Sequence, residues 1–114
     1  MNPFDEAIQI INELDGSSTA EGLAKLILTF YNDVHPFSIT ECMRGFDPAM
    51  RALALRMLNH YLAHGEDKSL LNAGERIKET WPTIMELSKA GRQAKSDVLQ
   101  KWRDTLLEDV PEEE

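Results

Sequence analysis

His60 and His64 stand four residues apart in a segment whose apolar spacing predicts a helix, so their imidazoles share one face. That is the spacing of a helical metal-ligand pair. The residues between them are Tyr61, Leu62 and Ala63, so no glutamate follows the first histidine and the zinc-hydrolase pattern is not met. A third ligand would have to come from His35, Cys42 or Glu66. The plainer reading is two surface histidines, with His64 at a helix end where a cationic imidazole suits the dipole. Cys42 lies near a predicted helix N-terminus, a position that favours a thiolate. It also lies in the apolar pattern Ile39-Cys42-Met43, which favours a buried small hydrophobe. No Ser-His-Asp or Cys-His-Asn arrangement is legible, and the scattered glycines form no phosphate cradle. The expectation is a protein without a catalytic, metal or cofactor site.

The charge is the next feature with functional content. The net charge is −8 over 114 residues. Residues 1–47 carry −6, residues 48–107 carry +3 and residues 108–114 carry −5. Such alternation suits self-complementary contacts, within one chain or between two. Lys89, Arg92, Lys95, Lys101 and Arg103 form the one basic patch, beside Trp102. The overall acidity argues against direct nucleic-acid binding. It permits the opposite idea, an acidic surface that stands in for phosphates in a basic groove. Asp5, Glu6, Glu13, Asp15 and Asp33 are the candidate contact carboxylates, provided that they share a face with the acidic tail. Trp102 is the candidate aromatic anchor, because tryptophan is enriched where binding energy concentrates. The competing reading of Tyr31, Trp81 and Trp102 is that they belong to the core.

These residues need elements to hold them, and the pattern predicts helices throughout. The stretch 36–50 organises the chain. Ser38 with Glu41 reads as a capping box, Asp47-Pro48 as a second helix start, and Gly45 as a left-handed stop between them. Before it, Asn2-Pro3 opens a first helix with the face Phe4, Ile8, Ile11 and Leu14. Ser18 and Glu21 read as the box that starts a second helix, running to about Val34. Leu23, Ile27, Phe30, Tyr31 and Val34, widened by Leu26 and Leu28, make that helix central.

After Pro48 comes a long apolar helix ended by Gly65, then a helix capped by Ser69 or Asn72 and containing Gly74. Pro82 restarts or kinks the chain. The stripe Ile84, Leu87, Gly91, Ala94, Val98, Trp102 and Leu106 keeps phase across the glycine, which favours one long helix over two. The fold expected is an all-α compact bundle of five to seven helices with a long C-terminal helix. Residues 1–110 form a single helical domain and residues 111–114 an acidic disordered tail. No apolar run is long enough for a membrane span, and the first residues lack the pattern of a signal peptide. One cysteine leaves no internal disulfide, so a cytoplasmic setting is expected.

Leu23-Ala24-Lys25-Leu26-Ile27-Leu28-Thr29-Phe30-Tyr31-Asn32, then Phe37-Ser38-Ile39-Thr40-Glu41, then Asp47 with Met50, Leu53, Met57 and Leu58, then Trp81-Pro82, carry a resemblance. The order resembles a family of short helical proteins of unknown function found mainly in bacteria, often on plasmids, integrated elements and phages. In that family an apolar helix ends in aromatic-aromatic-asparagine, and a phenylalanine leads into a short helix start and a second apolar helix. The chain departs from it in Phe30-Tyr31 where tryptophans are expected, in Arg44-Gly45-Phe46, and in the long charged C-terminal helix. The resemblance implies a helical fold and a bacterial or mobile-element origin, and it carries over no activity.

Three functional expectations follow. The first is a non-enzymatic protein–protein interaction module, an inhibitor or accessory protein whose acidic surface meets a basic partner or mimics a nucleic acid. The second is a structural homodimer formed through the C-terminal helix. The third, a small metal-dependent enzyme, requires His60, His64 and Cys42 to converge.

Overall fold

The computed structural model describes residues 1–32, 35 and 37–109, with side chains to Thr105 and Leu106. Asp33, Val34 and the acidic tail at 111–114 lie outside the described residues. Among the described residues, six helices and no strand are found: α1 (Pro3–Glu13), α2 (Ser18–Tyr31), α3 (Ile39–Met43), α4 (Pro48–His64), α5 (Lys68–Thr80) and α6 (Pro82–Asp109). The protein is all-α, and its last helix is one continuous rod across Gly91.

Local chemistry starts each helix. Asn2 accepts from the Phe4 N–H, and Pro3 takes the first helical position, where its missing donor costs nothing. Ser38 and Glu41 form the reciprocal capping box, and Asp47 caps α4 through the Met50 N–H. Gly65 closes α4 at φ 65°.

Three expected starts and stops move. Ser17, not Ser18, caps α2, because the Ala20 N–H reaches its hydroxyl at 3.1 Å. Asp67, not Ser69 or Asn72, caps α5. Gly45 is not left-handed; it gives clearance, since a Cβ there would lie 3.0 Å from the Ser18 hydroxyl.

α2 is the central element and touches α1, α3, α4 and α5. Ala20 and every residue from Gly22 to Leu28 are buried. Burial on all sides requires the neighbours to come close, and two glycines allow it. A Cβ on Gly22 would stand 2.1 Å from the Cys42 carbonyl of α3. A Cβ on Gly74 of α5 would stand 2.0 Å from the Tyr31 ring. Tyr31 therefore lies on Gly74, with its hydroxyl hydrogen-bonded to Glu75 and Lys78 Nζ over its ring. α2 contributes Leu23, Ile27 and Leu28 to the core, α1 adds Phe4, α4 adds Leu53 and Met57, and α5 adds Leu70 and Ile77.

α6 meets this body only at its root. Ile84 and Ser88 are buried and Met85 is partly buried. Ser88 is paired at 2.6 Å with Nδ1 of buried His35. Beyond Gly91 nearly all positions are exposed. Residues 92–109 thus extend roughly 27 Å past the body at 1.5 Å per residue. The molecule measures 64 × 31 × 26 Å, and its radius of gyration is 17.6 Å. A compact chain of this length would have about 13 Å. The bundle is compact; the whole molecule is a bundle with an arm.

Candidate interaction surface

The histidines and the cysteine each have partners within the fold. Asn2 and Asp67, the caps of α1 and α5, are joined to each other and to His60. Asn2 Nδ2 donates to Asp67 Oδ2 at 3.0 Å, and His60 Nε2 lies 2.6 Å from the same oxygen. The Phe4 ring meets His60 edge-on. Burial alone would raise the Asp67 carboxyl, but hydrogen bonds from His60, the Leu70 N–H and Asn2 outweigh it and hold it below its ordinary value. His64 packs beside His60 with ring centroids 4.5 Å apart. Cys42 is 1% exposed, against Thr29 and beneath Gly22. Burial raises its thiol pKa, which disfavours the thiolate that a nucleophile needs. Among the described residues no group of three or more His, Cys, Asp or Glu is placed to hold a metal.

The acidic candidates are partly committed within the chain. Glu6 is bridged by Arg56 of α4 at 2.5 and 3.2 Å, which holds its carboxyl below the ordinary range. Asp5 accepts from the Ser69 hydroxyl of α5 at 3.2 Å. These neighbours in sequence leave α1 on opposite flanks and brace it between α4 and α5. Glu13 accepts from Gln9 on its own helix. Asp15 lies in the turn after α1, and Asp33 lies outside the described residues. The Glu6–Arg56 pair is the contact in cis that the alternating charge suggested, between the acidic first section and the basic middle.

Trp102 is different. It is 58% exposed. Val98 and Leu106 precede and follow it by one turn, at 66% and 46% exposure. All three continue the line of helix on which Ile84 and Ser88 are buried. The stripe faces solvent for most of its length. Around it the charges are sorted. Arg92 and Arg103 flank one side and Lys101 the other, with Lys95 within the stripe. The acidic Glu86, Asp97 and Asp104 fall on the opposite side of the rod.

A second apolar surface lies on the body and was not anticipated. Leu26, Thr29 and Phe30 of α2 form the floor of a groove of about 250 Å³. Ile39 and Met43 of α3 make one wall, and Ala54, Leu55 and Leu58 of α4 the other. Ile39 and Leu55 are 62% and 57% exposed, and Leu62 extends the α4 wall at 72%. The available signal was Leu55, Leu58 and Leu62 at helical spacing beside a stripe already complete with Leu53, Ala54 and Met57. A separate cleft of about 400 Å³, between α2 and α3, is lined by Glu21, Lys25, Glu41 and Arg44 as well as by Gly22 and Cys42. Its Lys25 is nearly buried and held by Glu21 and Glu41 at 3.4 and 3.5 Å, over the Phe37 ring. No helix among the described residues is long and apolar enough to cross a membrane. No protein-family model, no curated protein and no solved structure matches the chain.

Proposed function

We propose that the protein is a non-enzymatic protein–protein binding module and that the arm of α6 is its contact element. One observation carries this reading. Val98, Trp102 and Leu106 form an apolar stripe on a helix that has left its own body. An amphipathic helix presenting anchors one turn apart is suited to a hydrophobic groove on a protein partner. The basic residues beside the stripe favour a partner with acidic rims, and the exposed tryptophan supplies the anchor. The contact carboxylates first considered, Asp5 and Glu6, are already engaged within the chain, so the contact shifts from the acidic N-terminal section to α6. An accessory role on a bacterial mobile element agrees with the resemblance described above and belongs to the same proposal.

Site-specific photocrosslinking tests it. A photoreactive residue in place of Val98 is expected to give a protein adduct in the source cell. The same residue in place of Gln93, on the back of the rod, is expected to give none. Equal yields at the two positions, or no adduct at position 98, would refute the reading.

A further inference from the structure

We infer that the joint between the body and the arm is an acid-released latch: one proton on His35 lets α6 swing off the body while α1–α5 stay packed. The joint is narrow. Only Trp81 separates the end of α5 at Thr80 from the start of α6 at Pro82. The Trp81 N–H closes α5 on the Ile77 carbonyl, and Pro82 brings no N–H to carry that ladder onward. A change at one residue therefore redirects α6 without interrupting either helix. The seat of α6 consists of Ile84, Met85 and Ser88, and its polar fastening is the pair of Ser88 Oγ with His35 Nδ1.

Both members of that pair are buried, His35 at 7% and Ser88 at 0% exposure. A neutral imidazole suits the site and an imidazolium does not. The hydrogen bond is not what fails, since a protonated Nδ1 still donates to the hydroxyl oxygen. The charge fails, because it is buried among charges of its own sign. Arg92 of α6 and Lys78 of α5 both act on the ring as cations. Tyr31 of α2 faces it with ring centroids 6.4 Å apart, and Glu75 of α5 is taken up by the Tyr31 hydroxyl and by Lys78. Burial, and after it Arg92 and Lys78, keep His35 neutral to lower pH than a free histidine. Moving α6 away gives the imidazolium water and takes Arg92 with it. Unfolding the body gives little more and sacrifices the core around Leu23, Ile27 and Met57, so release at the joint costs less. The latch goes beyond the binding reading and does not depend on what the arm contacts.

Linkage fixes its size. A released imidazole returns to an ordinary pKa of about 6.5. Between about pH 7.5 and 5.5 the ratio of released to seated α6 then rises by up to about tenfold, the full amount when the seated ring stays neutral throughout. The carboxyls of Glu6 and Asp67 are held below their ordinary values, so this window is clear of them.

Thiol protection in the full chain reads the result. Ile84→Cys places a thiol in the seat, and Cys42, 1% exposed, reports the body in the same molecule. A disulfide reagent labels both, and each rate is divided by that of an unstructured cysteine peptide at the same pH. Losing the isoleucine loosens the seat at every pH but leaves the ratio between two pH values to His35. The corrected rate at position 84 is expected to rise by about three- to tenfold from about pH 7.5 to 5.5, with Cys42 protected throughout. His35→Gln in the same background is expected to abolish the rise. Arg92→Glu, at an exposed position, keeps the fold and brings a carboxylate toward the ring, and it is expected to cut the rise to under about twofold.

A corrected rate at position 84 that is flat across the range would overturn the inference. So would loss of protection at Cys42 in step with position 84, which would make the change an unfolding of the whole chain. A rise that persists in full in Arg92→Glu, or in a His35→Gln variant with the circular dichroism of the parent, would place the titrating group elsewhere and overturn it too. The adduct at position 98 is decided separately, so failure of the latch and failure of the binding reading are told apart.

Discussion

α2 and α6 are written in the same pattern and meet opposite environments. Both carry large apolar residues three and four positions apart. In α2 the stripe is enclosed by four other helices, and Leu23, Ile27 and Leu28 lose all contact with solvent. In α6 the stripe is enclosed at its root, at Ile84 and Ser88, and then runs out into solvent through Val98, Trp102 and Leu106. Periodicity identifies the face of a helix that seeks cover. It does not say whether the cover is in the same chain. What separates the two helices is the density of supporting features: α2 has a Gly22 that lets α3 approach and a Tyr31 that locks onto α5, whereas past Gly91 the described side chains of the arm are nearly all exposed.

The largest expected contrast is a cavity in one stripe against a deletion in the other. Ile27→Ala removes atoms from a fully buried side chain and is expected to destabilise the protein by about 2–5 kcal/mol in urea unfolding. A loss under about 1 kcal/mol would mean that α2 is not the packed centre described here. Gly22→Ala comes next. Its new Cβ meets the Cys42 backbone carbonyl, which cannot rotate away, so α3 has to shift. The expected cost is about 1–3 kcal/mol, with exposure of Cys42 to thiol reagents as an independent reading. Unchanged stability with Cys42 still protected would show that α2 and α3 are less closely joined.

How much of this was legible in the sequence depended on whether the deciding interaction was local. The Ser38–Glu41 box, Asn2-Pro3 and Asp47-Pro48 are complete within four residues, and all three start helices where expected. Ser17 and Ser18 are both competent caps, and only the fold chooses between them. Asp67 stands in the polar run Glu66-Asp67-Lys68, which reads as a connection, so Ser69 and Asn72 look like the caps in the sequence. Its selection is tertiary: the same carboxylate accepts from Asn2 and pairs with His60. The Tyr31 ring over Gly74 joins positions 43 apart, and the glycine alone gives no sign of which ring will cover it. The apolar groove needed three helices in place. The arm is legible as a helix and as a stripe, but whether Trp102 is core or a partner's anchor is not, because a pattern carries no record of what lies opposite it.

Asp67→Ala tests the joined caps. It removes the acceptor for the Leu70 N–H and the link between the starts of α1 and α5, and it is expected to cost about 1–2 kcal/mol. If the mutant is as stable as the parent, the Asn2–His60–Asp67 cluster is ornamental. Acid acts on the same region. Glu6 and Asp67 have depressed pKa values in the folded state, so their contribution is full above the unfolded carboxylate range and is lost as pH falls through and below about 4. His35 titrates differently. Burial, with lesser contributions from Arg92 and Lys78, lowers its pKa, so the unfolded chain takes up the proton first and stability begins to fall below about pH 6.5. A thermal melt followed across this range is expected to show a shallow early decline and a steeper later one. A pH-independent midpoint down to about pH 4 would remove His35 from the account of how α6 is rooted.

The smallest expected effect is the most informative about the arm. Trp102→Ala is a drastic truncation in size, and in a core it would rank with or above Ile27→Ala. On the arm its side chain is 58% exposed and adjoins other exposed positions of the same rod, so little packing is lost. The unfolding free energy of the purified chain is expected to change by no more than about 0.5 kcal/mol. The same substitution is expected to abolish the photocrosslinked adduct at position 98, because the proposed anchor is gone. A loss of several kcal/mol would mean that the arm folds back and that Trp102 is core after all. An adduct of unchanged yield would separate Trp102 from binding altogether. Only a stable variant that has lost the adduct gives the second stripe the role that the first fulfils within one chain: a face whose cover is another molecule.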